Sequence, residues 1–366
     1  MLFSSVPGST QGAMAAWIEG RRMISSKDIT VVVQGPAHAF RGRPQEEGIT
    51  QHCLASVRRY LPNAHLILST WEGQELGELD YDELVLSPDP GGNIVSYKKD
   101  GAARRLNHNR QIVSTVEGVR RATTPYVMKL RSDNALLGCG FIDLQQRYTE
   151  RSADMRWLRE RVVLTNTFTR KFAKGRRVLF HASDFFAFGR TEDVLDLWDL
   201  PLFSDLEPDA SFLEMKQPYY PGAPEYERDA TQDIFLRFVN KHMPVSLAHL
   251  LDGDDGLLSR WERLLANNFV VAEPDRIGLY LGRKFLQKVR IAKRAGRAGF
   301  YTYPEWQALY QHYCDPRHEI VEDLSERFMM GCARLYGVWL KRMNTAVSLR
   351  KRKLAYRKAR GRYVGG

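Results

Sequence analysis

Cysteine is scarce in this sequence of 366 residues, and its four cysteines lie far apart. None belongs to a C-x-x-C pair or to a spacing typical of zinc ligands; they are Cys53, Cys139, Cys314 and Cys332. Isolated cysteines of this kind exclude a disulfide framework and indicate reduced, packed thiols in a reducing compartment.

Long apolar segments are also missing. No uncharged apolar run approaches the roughly 18 residues that a membrane-spanning helix needs. The segment 1–23 has no basic stretch followed by a continuous apolar core, so we predict no signal peptide. A Walker-type loop and the G-x-G-x-x-G pattern are absent too, which excludes two familiar glycine-rich phosphate sites.

Acidic residues are absent from two segments near the C-terminus. Residues 283–299 contain seven lysines or arginines and residues 327–366 contain twelve, with no acid in either segment. The rest of the chain has 35 basic and 43 acidic residues, although the net charge of the whole is +11. This distribution argues against a nucleic-acid reader that binds through its folded domain, and it favours a late basic surface patch.

Alternating strands and helices are what the sequence does contain. The apolar patterns predict strands at 29–35, 65–71, 82–87, 126–133 and 178–189, and helices at 48–64, 107–126, 191–200 and 229–242. Such alternation implies right-handed crossovers and a mainly parallel α/β sheet flanked by helices. We predict a leader segment at 1–27 with a short helix around 13–23, one domain at 28–270, and a basic helical extension at 275–366.

The predicted strands end in polar or turn residues. Ligands of open parallel sheets bind outside the carboxyl ends of the strands, so three such ends are expected to form one crevice. The three ends are Gln34-Gly35-Pro36, Ser69-Thr70-Trp71 and Arg131-Ser132-Asp133.

The third strand end carries charges that need a partner. Lys129, Arg131 and Asp133 alternate along the segment "PYVMKLRSDNALL" and therefore face one side of a strand. Arg131 and Lys129 could neutralise a diphosphate, while Asp133 could hold a divalent cation or a sugar hydroxyl. The alternative is an internal Arg–Asp pair with a structural role. The preceding helix has Asn109 and Arg110 in its first turn, where anions are favoured.

Several segments resemble the WavE lipopolysaccharide-synthesis family. They are "ITVVVQGP", "CLASVRRYLPNAHLILSTWEG", "YDELVLSPDPGG", "NRQIVSTVEGVRRATTPYVMKLRSDN" and "APEYE", and they cover roughly residues 28–240. The resemblance implies a GT-A-like, Rossmann-related fold and a glycosyltransferase that uses a nucleotide-sugar donor of UDP or CMP type. It also implies a role in lipopolysaccharide-core or capsular polysaccharide synthesis, on the inner face of a bacterial cytoplasmic membrane.

This sequence departs from the usual GT-A metal motif. GT-A enzymes generally carry Asp-x-Asp at the end of this strand, whereas here the residues are Arg131-Ser132-Asp133. Arginine cannot ligate a cation but can replace its positive charge, so metal-free transfer and transfer with Mn or Mg on Asp133 both stay open. By the same analogy, the residues that should meet the nucleotide, its base or its ribose are Gln34, Gly35, Pro36, Thr70 and Trp71. For Trp71, a role as core filler is the alternative.

An inverting transfer needs a carboxylate that takes the proton of the acceptor hydroxyl. In GT-A folds this group usually comes from the second half of the domain, where the candidates are Glu225, Glu227, Asp229 and Asp233. We favour Glu225, which follows Pro224 in a predicted loop; Asp233 is second, with a solvated or capping role as its alternative. A retaining transfer would need no such base.

The segment "HASD" offers two further polar side chains. His181 and Asp184 could bind hydroxyls of the acceptor or of the donor. For the histidine, a purely structural hydrogen bond is the alternative.

The C-terminal extension combines an apolar stripe with basic residues. Residues at helical spacing form the stripe, namely Phe328, Cys332, Leu335, Trp339 and Met343. A basic helix of this kind is typical of docking on an anionic leaflet, where a lipid-linked or oligosaccharide acceptor would be found. The alternative is a helix packed on the domain and followed by a solvated tail.

The sequence leaves two other classes of function open. One is a non-catalytic protein that binds polyanions or nucleic acid through the basic tail, although we expect no specific nucleic acid. The other is a nucleotidyltransferase, which would normally need a glycine-rich, lysine-bearing loop after the first strand; "GPAHAFRGRP" approximates one poorly.

Overall fold

The computed structural model describes residues 23–39, 45–97, 102–207, 228–282, 297–320 and 322–363. The predicted leader helix lies almost entirely outside the described residues, as do Glu225 and most of the basic segment 283–299.

Thirteen strands form the sheets of the described chain: β1 Ile29–Gln34, β2 His65–Trp71, β3 Glu83–Ser87, β4 Asn93–Tyr97, β5 Ala103–Leu106, β6 Tyr126–Arg131, β7 Asn134–Leu136, β8 Val162–Thr165, β9 Phe172–Ala173, β10 Arg176–Arg177, β11 Phe186–Arg190, β12 Phe269–Ala272 and β13 Leu279–Leu281. The α-helices there are α1 Ile49–Tyr60, α2 His108–Arg120, α3 Gly140–Arg147, α4 Thr191–Trp198, α5 Ala230–His242, α6 Asp255–Asn268, α7 Pro274–Ile277, α8 Tyr303–Tyr313 and α9 Leu324–Tyr363. Short 3₁₀ turns occupy Ser26–Asp28 and Arg297–Gly299.

The central sheet has seven strands in the order β12-β8-β11-β6-β1-β2-β3. Every neighbouring pair is parallel except the two that involve β11, which runs antiparallel to both β6 and β8. The prediction of a mainly parallel α/β sheet flanked by helices is therefore confirmed, and the arrangement is compatible with a Rossmann-like fold.

The predicted first strand is buried along its whole length, as a continuous β-branched run requires. In register, the Cα partners of Gln34 at its end are Arg131 of β6 and Ser69 of β2. Three strand ends therefore lie side by side at the carboxyl edge of the sheet, as the sequence predicted.

Two predicted boundaries differ most from the structure. The helix expected to reach residue 126 ends at Arg120, and a turn that includes Pro125 leads from it into β6. The strand expected over 178–189 occupies only Phe186–Arg190. Before it, the chain turns, because Phe180 has a positive φ of 50° and the Val178 amide donates back to the carbonyl of Lys171.

The elements that follow β12 pack against the rest of the described chain. Strand β13 pairs with β7, and the fully buried Trp306 of α8 donates its indole N–H to the carbonyl of Leu265 in α6. Helix α9 is attached by Arg334, whose guanidinium binds the Glu305 carboxylate and the carbonyl oxygen of Phe300. Burial alone would raise the pKa of Glu305, but Arg334 and Lys171 outweigh it and hold the pKa at about 2.

The other side of α9 faces solvent. Phe328, Leu335 and Trp339 are 70%, 77% and 61% exposed, and Cys332 and Met343 are exposed as well. The predicted apolar stripe therefore exists on a helix but does not form the packing surface. In the described part of the chain, no helix combines the length and apolar composition that crossing a bilayer requires.

Candidate functional site

A cavity of about 190 Å³ opens at the carboxyl edge of the central sheet. We call it the strand-end cavity. Its lining comes from the ends of β1, β2 and β6, the starts of α2 and α5, and the segment before β11; the residues are Gln34, Gly35, Pro36, Trp71, Leu106, Asn107, His108, Arg110, Gln111, Arg131, Ser132, Asp133, Asp184 and Ala230. Nine predicted site residues thus meet in one place.

The floor of the cavity requires a glycine at position 35. Gly35 has a φ of +124°, and a Cβ there would lie 2.8 Å from the hydroxyl oxygen of Ser132. That hydroxyl donates to the carbonyl of Pro36 at 2.8 Å, and the Ser132 amide donates to the carbonyl of Gln34 at 2.9 Å. The two strand ends are therefore joined so closely that they form a rigid base.

Arg131 and Asp133 form a bidentate pair on the cavity wall. The Arg131 Nε and a terminal nitrogen donate to the two Asp133 oxygens at 2.9 and 3.0 Å, and the guanidinium lies over the Phe185 ring. Burial disfavours the charge on Arg131, but the adjacent Asp133 carboxylate outweighs burial and raises the pKa of Arg131. The internal pair that sequence left open is present, yet both residues line an open cavity.

Arg110 forms a second bidentate pair at the start of α2. It donates to both oxygens of Asp89 at 2.6 and 2.7 Å and to the Asn107 side chain at 2.8 Å. Its guanidinium lies 5.7 Å from the centre of the Trp71 ring. An arginine and an indole therefore lie side by side on the cavity wall.

Asp184 lines the cavity next to α5. Its carboxylate accepts hydrogen bonds from Gln111 at 2.8 Å and from Thr231 at 3.3 Å. Ala230, the first residue of α5, lines the cavity beside it. The start of α5 thus carries carboxylates, whereas α2 also begins at the cavity and has no acidic residue in its first turn, so its positive end favours an anion there.

His108 is a cavity residue that sequence reasoning missed. Its Nδ1 lies 3.1 Å from the Asn93 amide nitrogen, which makes Nδ1 the acceptor and places the proton on Nε2. That Nε2 is buried without a hydrogen-bond partner. Burial lowers the pKa of His108, against the opposing effect of Asp233 and Asp184, and this favours the neutral ring. The only signal in the sequence was its position in the helical turn that carries Asn109 and Arg110.

Three predicted donor residues do not line the cavity. Thr70 is fully buried and accepts a hydrogen bond from Gln74, which in turn accepts from the Ala37 amide. Asn109 exchanges hydrogen bonds with the Phe203 backbone at 2.7 and 2.8 Å. Lys129 is also fully buried, and its ammonium group donates to the Asp184 carbonyl and lies over the Trp198 ring.

Most of the site residues predicted in the second half of the chain do not line the cavity. His181 is fully buried and binds Asp229 at 2.8 Å, so it serves the N-cap of α5 and does not line the cavity. Asp233 accepts from Arg228 at 2.5 Å in the first turn of α5 and is not part of the cavity lining. Asp184 alone of this group lines the cavity, and Glu225 is outside the described residues.

The carboxylates at the strand-end cavity are few. Asp133 and Asp184 line it, and both oxygens of Asp133 accept hydrogen bonds from Arg131. Within the described ranges, no group of three or more histidines, cysteines, aspartates or glutamates is placed to hold a metal ion. A cation here would have to displace a guanidinium from Asp133, so the protein's own oxygens fit one poorly.

We compared the chain with curated protein sequences and with sequence models of protein families. No curated protein sequence matches the chain significantly. The sequence model of one family, described as WavE lipopolysaccharide synthesis, matches residues 29–335. This match includes every strand of the central sheet, all residues that line the strand-end cavity and the first turns of α9. The chain therefore belongs to the WavE lipopolysaccharide-synthesis family.

Proposed function

We propose that this protein is a glycosyltransferase of GT-A-like fold that takes a nucleotide-sugar donor and acts in lipopolysaccharide or related surface-polysaccharide synthesis. One observation carries the proposal: Gln34-Gly35-Pro36, Trp71 and Arg131-Ser132-Asp133 converge on one cavity at the carboxyl edge of the sheet. Family membership supports the process, and the strand-end cavity supports the type of ligand.

The residues that line the cavity suit the parts of such a donor. Arg110 and the start of α2 favour a phosphate group, and the indole of Trp71 offers an apolar surface for a base or ribose. The Asp184 carboxylate can accept hydrogen bonds from sugar hydroxyls. Pockets for whole ligands of drug size usually measure about 300–1,000 Å³, so the cavity would enclose only the diphosphate and sugar portion.

In the proposed reaction, an acceptor hydroxyl attacks the anomeric carbon while the bond from that carbon to the phosphate oxygen of the nucleotide breaks. Negative charge then grows on the departing nucleotide. Arg110, Arg131 and the N-terminus of α2 would stabilise this charge because they are fixed in place before the reaction begins. His108 would donate its Nε2 proton in a hydrogen bond to the donor.

In an inverting transfer a carboxylate of the protein takes the proton of the acceptor hydroxyl, whereas in a retaining transfer the departing phosphate takes it. Glu225 remains our proposed base, outside the described residues. Asp233 is a weaker candidate for the base than the sequence indicated, because Arg228 already binds its carboxylate. No step in this proposal uses a metal ion, since Arg131 occupies the Asp133 oxygens.

A thermal-shift screen of the purified protein against UDP and CMP sugars tests the proposal. We expect a sugar nucleotide to raise the melting temperature by a few degrees in the presence of a chelator, because ligand binding stabilises the folded state. Arg110→Gln should abolish the shift. Arg58→Gln, which removes an exposed arginine paired with Asp80 and Asp82, should keep it.

Failure of every nucleotide sugar to stabilise the wild-type protein would contradict the proposal. Stabilisation by DNA or RNA alone would favour a polyanion-binding protein. A shift that requires manganese would assign a cation to Asp133 and overturn the metal-free version.

We further propose that α9 docks the enzyme on an anionic membrane surface, where a lipid-linked acceptor would be found. At 100° per residue, the exposed apolar side chains of the stripe, from Phe328 to Met343, fall within an arc of about 80°. Arg334, which attaches the helix to the domain, projects to a different side. Lysines and arginines follow the stripe without any acid, and each contributes on the order of 1 kcal/mol near an anionic leaflet.

Replacing Leu335 and Trp339 together with glutamine should weaken binding to vesicles that contain phosphatidylglycerol by about a hundredfold, since each apolar side chain contributes roughly 1.5–3 kcal/mol when buried. Co-sedimentation measures this, and binding should fall as salt is raised. Leu202→Gln, at an exposed leucine elsewhere, is the matched control. Unchanged binding of the double variant would refute docking by this face.

A further inference from the structure

A second cavity, of about 280 Å³, is rich in arginine. We call it the arginine cavity. Its lining includes Arg151, Arg156, Arg159 and Arg161, together with Tyr126 and Glu160. Four guanidinium groups around one concave surface are unusual because like charges repel each other.

The arginine cavity lies at the opposite edge of the sheet from the strand-end cavity. Tyr126 is the first residue of β6, and Arg161 directly precedes β8, which runs parallel to β6. Both residues therefore mark the amino-terminal edge. Strand β6 has six residues and spans about 20 Å, so the two cavities are separate sites.

Arg161 is buried, without an acidic partner among the residues that the structure describes. It is 2% exposed, and its guanidinium donates to the carbonyl oxygens of Ala266, Tyr148 and Glu150, at 2.7–2.8 Å. Carbonyl groups satisfy its hydrogen bonds but leave its charge uncompensated. Burial accordingly lowers the pKa of Arg161.

Arg151 is in a similar position. Its terminal nitrogens donate to the Arg159 carbonyl and to the Asn268 side chain, while its Nε is buried without a hydrogen-bond partner. Burial and the positive charges of Arg161 and Arg156 lower the pKa of Arg151 to about 10. The Nε–H group of this cavity-lining guanidinium therefore lacks a hydrogen-bond acceptor among the described residues.

The nearby carboxylates are engaged elsewhere. Glu160 binds Arg190 at 3.0 Å and accepts from the Tyr126 hydroxyl, and Asp193 accepts from the backbone amides of Arg159 and Glu160. Arg159 reaches Glu192 at 3.4 Å. Among the described residues, Arg151, Arg156 and Arg161 form no ion pair with a carboxylate. The cavity thus holds positive charge that the chain itself does not neutralise.

We propose that the arginine cavity binds a phosphate-bearing ligand. Guanidinium groups match the geometry and charge of phosphate oxygens, and a bound phosphate would supply the missing counter-charge and an acceptor for the Arg151 Nε. The phosphate could belong to a soluble molecule or to a lipid headgroup, and both present the same group to the arginines. The proposal concerns a site apart from the strand-end cavity and does not depend on the proposed donor.

Calorimetric titration of the full-length protein with inorganic pyrophosphate tests the proposal, with sodium chloride added to equal ionic strength as the reference. The Arg110→Gln background removes binding at the strand-end cavity. In that background we expect saturable binding, which Arg156→Gln combined with Arg159→Gln weakens at least about tenfold, because hydrogen bonds to charged groups contribute roughly 1.5–3 kcal/mol. These two arginines are exposed, so their loss should leave the melting temperature nearly unchanged.

Arg120→Gln with Arg121→Gln is the matched control, since it removes two charges outside the cavity. Vesicles that carry phosphatidic acid form a second arm: competition with pyrophosphate there identifies a lipid source, and pyrophosphate binding alone identifies a soluble one. Absence of saturable binding, or equal affinity of the two double variants, would overturn the proposal. Donor-induced stabilisation should survive Arg156→Gln and Arg159→Gln, so failure of this site is distinguishable from failure of the proposed function.

Discussion

Replacing Asp133 with asparagine is expected to reduce turnover of the donor by at least about a hundredfold, the range seen when a fixed charge-stabilising contact is removed. Asp133 accepts two hydrogen bonds from Arg131, and an asparagine would retain one acceptor and present a donor to the guanidinium. Arg131 would then lose its fixed orientation in the cavity. Hydrolysis of the sugar nucleotide that stabilises the protein provides the assay.

Asp82→Asn is the matched control for this variant. Asp82 also pairs with an arginine, Arg58, but it lies away from the strand-end cavity. Burial opposes the effect of Arg58, which nevertheless lowers the pKa of Asp82. Asp82→Asn should therefore affect stability slightly and turnover hardly at all. Near-normal turnover by a folded Asp133→Asn protein would remove Asp133 from the site.

Stability should rise with pH above neutrality because of Lys129. Burial lowers the pKa of this fully buried lysine from 10.5 to about 7, although Asp184 favours its charged form. Above pH 7 the unfolded chain still binds the proton and the folded protein releases it, so the free energy of unfolding increases until the pH reaches the unfolded pKa. Below pH 7 both states are protonated, and this contribution is constant.

Lys129→Met removes the titrating group and should remove that rise. Between pH 7 and pH 9, the free energy of unfolding of the wild type should increase by about 2 kcal/mol relative to Lys129→Met. Urea unfolding at a series of pH values gives both quantities. Lys241→Met, at a more exposed lysine on α5, should keep the wild-type slope. Parallel curves for wild type and Lys129→Met would show that the ammonium group stays charged in the folded protein.

Sequence reasoning located the strand-end cavity because strand ends are determined by local signals. Gln34-Gly35-Pro36 follows a continuous β-branched run, and Arg131-Ser132-Asp133 follows an apolar strand. Parallel pairing then brings these ends together regardless of the details of the helices between them. The apolar stripe of α9 was likewise visible from its spacing alone.

Lys129 and His108 show where such reasoning stops. The alternation of side chains along β6 placed Lys129 on the same face of the sheet as Arg131. Lys129 is two residues further from the strand end, however, and Trp198 of α4 covers it there. Only the three-dimensional packing of α4 determines this burial. His108 lines the cavity because α2 begins beside β1 and Asn93 orients its ring, and neither contact follows from sequence spacing.

The reversed direction of β11 has a consequence for how this site could change. A parallel strand contributes the residues that follow it to the binding edge, whereas β11 contributes those that precede it, including Asp184. The segment that leads into β11 therefore contributes to the site although no crossover helix begins there. Because residues 178–185 are buried and hydrogen-bonded to Lys129, Thr169 and Asp229, a change of length in this segment would shift Asp184 and the start of β11 together.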